Sequence, residues 1–144
     1  MFKRILVPTD GSEISTKATQ TALALAKLHG ASLYAISVKE PFPYSAISEM
    51  QPVPPQEFYD AQERIAAARV KAVVDAAAGT GVTCNGHTVE ALHAWEAILD
   101  HAKAQKCDLI VMASHGRRGV AALLLGSETS RVLTHSEIPV LIVK

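Results

Sequence analysis

The chain lacks any excess of charge: across 144 residues, 14 lysines and arginines balance 14 aspartates and glutamates. Without a global field, a general DNA or RNA binder is not expected, nor attraction to an acidic membrane surface. Long apolar runs are missing too. The longest, such as LIVMA and VAALLL, are too short to span a bilayer. The opening MFKRILVP holds no apolar segment of export-signal length. The expectation is a cytoplasmic protein with no membrane partner. Cysteine is scarce: Cys84 and Cys107 stand 23 positions apart and form no CxxC. They read as reduced thiols, Cys107 buried at a strand start. The histidines, His29, His87, His93, His101, His115 and His135, show neither HExxH nor HxH spacing, which argues against a metal enzyme. No GxxxxGK[ST] follows a strand, and no motif histidine sits beside a thiol to make it a nucleophile. There is no internal repeat, low-complexity tract or composition break, so one domain over 1–144 is expected.

What is present is an alternation of short β-rich runs with longer helical patterns. RILVP (4–8) is continuously apolar, as suits a strand covered on both faces. A helix follows from about Ser12, a good N-cap, to His29; Ile14, Ala18, Ala22, Leu25 and Leu28 recur at helical spacing, and Gly30 stops it. SLYAISV (32–38) is a second strand. The proline-dense stretch 40–56 can be neither helix nor central strand and reads as a long connection, a solvated crossover or a lid. From Glu57 to Ala78 the pattern is helical, with Phe58, Ala61, Ile65, Ala68, Ala72 and Ala76 as the expected inward stripe. A third strand covers 82–91, and a helix runs from Ala94 to Gln105 with Trp95, Ile98 and Ala102 inward. CDLIVMAS (107–114) is the fourth strand, Ser127 to His135 the last helix, and IPVLIV (138–143) the fifth strand. Such alternation predicts an α/β sandwich with a mostly parallel sheet and right-handed crossovers.

Ligands in such folds bind at the carboxyl ends of strands, near the point where strand order reverses. Two strand exits are polar and carry glycine: PTDGS after the first strand and ASHGRRGVAALLLGS after the fourth. In the latter, Gly116 and Gly119 let the backbone approach a ligand without a Cβ in the way. Gly126 and Ser127 open the last helix, where unpaired amides and the helix dipole favour an anion. Arg117 and Arg118 add charge-assisted bonds to phosphate oxygens, unless Ser127 is an ordinary N-cap and nothing more. In the former, Asp10 is placed to accept from ribose or base groups, or is simply the first half of an Asp-Gly turn. One carboxylate without a titrating partner does not make acid–base catalysis, so no dedicated catalyst is expected.

ILVPTDGSE, DLIVMASHG and LLLGSETSRVLTHSEIPVLIVK resemble, in order and spacing over the whole chain, the universal stress protein family. That family's loop, G-x2-G-x9-G-[S/T], is matched from Ala113 through Gly116 to Gly126-Ser127. The resemblance implies a flavodoxin-like, Rossmann-like three-layer sandwich with five parallel strands in the order 3-2-1-4-5 and an adenine nucleotide across the switch point. It assigns Pro8, Thr9 and Asp10 to the adenine and ribose and Val38 to a backbone contact with the base. Met112, Ala113, His115, Gly116, Arg117, Gly126, Ser127, Glu128 and Thr129 fall on the loop around ribose and phosphates. ATP is the implied ligand, with Mg2+ or Mn2+ held mainly by the phosphates. Three positions depart: Ala113 replaces the first loop glycine, Glu128 brings a negative charge beside Ser127, and the third-strand exit reads ALHAW without glycine or proline.

Two rival readings share this architecture. A nucleotide-free stress or interaction protein is the family's other branch, whose members tend to lose the loop glycines kept here. A phospho-receiver wants an acidic cluster with an acceptor aspartate at the third strand's end, which here reads HTVEA. The last strand, apolar on both faces and placed at an edge, invites pairing with another chain. A homodimer through 138–143 is expected, alongside a protein partner the sequence does not identify.

Overall fold

The computed structural model describes residues 1–41, 56–116 and 125–144. Five strands, β1 (Arg4–Pro8), β2 (Ser32–Lys39), β3 (Cys84–Glu90), β4 (Leu109–Ala113) and β5 (Val140–Val143), form one parallel sheet in the order β3-β2-β1-β4-β5. Between them run α1 (Glu13–His29), α2 (Gln56–Ala78), α3 (Ala94–Ala104) and α4 (Ser127–His135). This is the expected α/β fold and the expected strand order. The fourth strand is shorter than expected, leaving Cys107 buried just ahead of it, and the fifth begins at Val140.

The central strands are apolar throughout because both their faces are covered. Ile5, Val7, Leu33, Ala35, Leu109 and Val111 point to α1 and α2, packing on Ala18, Ala22, Ala26, Val70 and Val73. Leu6, Tyr34, Ile36, Ile110 and Met112 point the other way, onto Ile98, Ala102 and Val132 of α3 and α4. Ile110 has no exposed surface, and cutting such a side chain back to alanine costs about 2–5 kcal/mol. The first face is lined with alanine, so its helices lie close. Gly86 of β3 is part of that closeness: a Cβ there would stand 2.2 Å from Val70 Cγ1.

Two helical stripes differ from expectation. In α2 the buried residues are Ala66, Val70, Val73 and Ala77, whereas Ile65, Ala68, Ala72 and Ala76 are exposed. The helix is rotated so that its valines, not Ile65, enter the seat left by Gly86. In α1 the buried set is Ser15, Ala18, Thr19, Ala22 and Ala26, and Leu28 is 78% exposed. Gly30 ends α1 as expected, at φ 66° with its amide on the Ala26 carbonyl. At the amino end of the sheet, the Lys3 and Arg4 amides donate to Asp108 at 2.8 and 3.1 Å and fix β1 beside β4.

Candidate functional site

Strand order reverses at β1, whose neighbours are β2 and β4. The carboxyl ends of β1 and β4 therefore flank the position where this fold class takes ligands. Pro8 ends β1, and the buried Thr9 donates its amide to the Ile36 carbonyl at 2.8 Å. Beyond it the chain turns on side-chain bonds. The Gly11 amide donates to Thr9 Oγ1 at 3.2 Å, and the Ser12 amide donates to Asp10 Oδ1 at 2.9 Å. Gly11 sits at φ 77°, which the Asp-Gly turn requires. Ser12 caps α1, its hydroxyl accepting from the Ser15 amide at 3.3 Å. Asp10 is thus a turn residue through Oδ1, while Oδ2 faces the other strand exit.

That second exit is built from main chain. Ser114 continues β4 by donating its amide to the Val143 carbonyl at 2.8 Å. Its own carbonyl accepts from the Gly126 amide at 2.8 Å, so the chain that leaves at Ser114 is drawn back to the same point by Gly126. A Cβ on Gly126 would meet His115 Cα at 3.1 Å, and one on Gly116 would meet Asp10 Oδ2 at 3.0 Å. Neither glycine has positive φ; both are needed for close approach. The Gly116 contact joins the two exits into one site.

Gly126, not Ser127, is the N-cap of α4, and no side chain among the described residues caps that end. Ser127 is the first helical residue and lies exposed. Amides in a first helical turn have no intrahelical acceptors; at α1 the Ser12 hydroxyl takes one of them, whereas at α4 no described side chain takes any. Thr129 is buried and donates its hydroxyl to the Ala113 carbonyl at 2.9 Å, pinning α4 to the end of β4. Ala113 itself is the last residue of β4 with φ outside the positive region, so its methyl group replaces the family's glycine without backbone strain.

Glu128 turns to α3. Its Oε2 accepts from the Trp95 amide at 2.7 Å, across to the first turn of α3, whose N-cap His93 makes no side-chain bond of its own. The carboxylate caps a different helix, and Trp95 stacks on His135 of α4 with centroids 4.7 Å apart. No local pattern links positions 95 and 128, so this role was invisible in the sequence. The ALHAW exit changes only the start of α3.

Val38 lies two residues past the Pro8–Ile36 pair that ends the β1–β2 ladder. Because the Ile36 carbonyl points to β1 and the Lys39 carbonyl to β3, alternation turns the Val38 amide and carbonyl toward the space beyond β1. The Met112 side chain belongs to the core under α3 and α4, leaving only its backbone at the exit. His115 is half-buried, its Nδ1 3.2 Å from Ser114 Oγ. One residue went unnoticed in the sequence: Ser37, 1% exposed, whose Oγ has no hydrogen-bond partner among the described residues. A lone serine inside the apolar AISV was its signal. Arg117, Arg118, Gly119 and most of the 40–56 connection lie outside the described residues.

Elsewhere the chemistry is quiet. Burial pushes both Cys84 and Cys107 up to about 11, holding the thiols protonated at neutral pH. A cleft of about 590 Å³ between α2 and β3 is lined partly by Glu63, which is already held by Lys39 at 2.7 Å and by the Thr88 hydroxyl at 3.1 Å. Those two bonds keep the Glu63 carboxyl below its ordinary range. No described helix is long and apolar enough to cross a membrane.

Comparison with known proteins places this geometry. The chain is 35% identical to a universal stress protein of Thermus aquaticus over 144 residues, covering all of both chains. Its fold superposes on the solved protein MJ0577 of Methanocaldococcus jannaschii with a TM-score of 0.85 at 27% identity, covering 100% of this chain and 96% of that one. A universal stress protein crystallised in complex with cAMP matches at a TM-score of 0.73 and 28% identity, over 99% and 97% of the two chains. The profile of the universal stress protein family spans residues 1–144, and the chain belongs to that family.

Proposed function

We propose that this protein binds an adenine nucleotide, ATP or another adenylate, across the carboxyl ends of β1 and β4, and acts as a nucleotide-dependent regulator or interaction module. The observation that carries the reading is the closeness of the exits: Asp10 Oδ2 lies 3.0 Å from where a Gly116 Cβ would stand. A polar turn for a nucleoside and an uncapped helix terminus for phosphates thus face one space. Amides at the start of α4 and the hydroxyl of Ser127 suit phosphate oxygens. The backbone edge of Val38, which meets no partner beyond β1 among the described residues, suits the donor and acceptor pattern of a base. A relative of 28% identity crystallised with cAMP supports an adenine ligand. Asp10 is the one carboxylate at the described exits that faces the space, and no three His, Cys, Asp or Glu among the described residues converge on a metal site. As the family resemblance implies, Mg2+ or Mn2+ would be held mainly by the phosphates.

The test is calorimetric titration of ATP and magnesium into the wild type and a Gly116→Val, Gly126→Val variant, with mass spectrometry of any nucleotide that copurifies. The expected result is a loss of at least tenfold in the variant, about 1.4 kcal/mol. Equal affinities would remove the loop from the site, and no binding below millimolar by the wild type would favour the nucleotide-free reading. The proposal extends to a homodimer through the β5 edge, where Leu141 is 39% exposed. Sedimentation showing only monomer at micromolar concentration would count against that pairing.

A further inference from the structure

The edge strand β3 carries a feature that nucleotide binding does not use. Gly86 and Thr88 face α2, meeting Val70 and Glu63. Strand alternation therefore sends His87 and Val89 to the face covered by α3, and Val89 packs there in the cluster that contains Ile98. On α3, His101 meets His87 with ring centroids 5.0 Å apart and planes inclined at 44°. A cleft of about 330 Å³ opens beside His101, and Glu90, Glu96 and Asp100 contribute to its lining.

We propose that His87 and His101 form a two-nitrogen binding site for a late first-row divalent ion such as Ni2+ or Zn2+, water filling the remaining positions. Geometry carries the assignment. With metal–nitrogen bonds of about 2.0–2.1 Å, an imidazole centroid stands about 3.2 Å from the ion, so two rings at 90–110° have centroids roughly 4.5–5.2 Å apart. The observed separation falls in that range, and the rings are held on two different packed elements. Imidazole nitrogen suits Ni2+, Zn2+ and Cu2+, whereas Mg2+ and Ca2+ require oxygen cages. No such set of three or more acidic or histidine groups converges among the described residues.

The experiment is titration of NiCl2, then ZnCl2, into the purified protein under reducing conditions, followed by calorimetry and by thermal melting. One ion is expected to bind per chain and raise the melting midpoint. His87→Ala and His101→Ala should each weaken it at least about tenfold, since losing even an outer-shell partner costs a metal site 10–100-fold. His87 is exposed, so its variant keeps the test valid if His101→Ala does not fold. His29→Ala is the control, because His29 Nδ1 lies 3.5 Å from the Met1 amine and forms a competing nitrogen pair. Wild-type affinity in both the His87 and His101 variants would overturn the proposal. So would loss in His29→Ala alone, or equal binding of MgCl2. Nucleotide affinity should be the same in His87→Ala as in wild type, which separates this test from that of the nucleotide site.

Discussion

The amino ends of α1 and α4 flank the same strand exits and are built by opposite means. The α1 end is closed by its own side chains: Ser12 caps it, Thr9 and Asp10 hold the turn before it, and Ser15 joins Thr9 at 3.3 Å. The α4 end begins at a glycine with no side-chain cap and is positioned by main-chain bonds and by Thr129 from beneath. A closed end is rigid and offers Asp10 at a set angle. An uncapped end leaves amides for something else to satisfy, and an anion satisfies them best. The difference between the two termini, more than any single residue, separates a nucleoside wall from a phosphate wall.

The strongest way to break this contrast is Gly126→Val. Its new Cβ meets the His115 backbone at 3.1 Å, which cannot swing aside. The expected loss is at least tenfold in ATP affinity, about 1.4 kcal/mol, by calorimetry. Gly116→Val should cost less, because the atom it meets at 3.0 Å belongs to the Asp10 side chain and not to the backbone. A larger loss at 116 than at 126 would mean that Asp10, not the α4 end, dominates binding. Thr129→Val tests the support beneath α4: stranding the Ala113 carbonyl should lower unfolding free energy by about 1–3 kcal/mol in a urea titration. Asp10→Ala removes the bond from the Ser12 amide and should cost about 1 kcal/mol of stability. Asp10→Asn keeps that acceptor and should recover most of it, while weakening nucleotide binding if Oδ2 matters as a charge. The smallest effect belongs to Glu128→Gln, which keeps a cap for the Trp95 amide. Stability should change by less than about 0.5 kcal/mol, with ATP affinity within twofold. A marked rise in affinity there would show that the carboxylate repels phosphate after all.

Much of this site is legible in the chain. PTDGS and GS at the helix start carry local chemistry, and each does at short range what its residue types do in any turn or cap. Other parts are not local. Glu128 beside Ser127 suggests a charge aimed at the phosphates, yet it caps α3 because His93 leaves that helix end without a side-chain partner. The inward face of α2 also escaped. With alanine at 66, 67, 68, 72, 76, 77 and 78, several stripes of similar apolarity compete, and Phe58 with Ile65 favours one about a third of a turn away from the one used. Gly86, on another element, selects the stripe that carries Val70.

Apolar periodicity and turn chemistry were enough to specify the strand and helix alternation, and with it a mostly parallel sheet, because both act over a few residues; the strand order came from the family resemblance. Rotation of α2, redirection of Glu128 and the approach of Gly116 to Asp10 were settled only when distant segments packed. Each depends on which surface meets which, and close packing ties a side chain's role to neighbours far away in the chain.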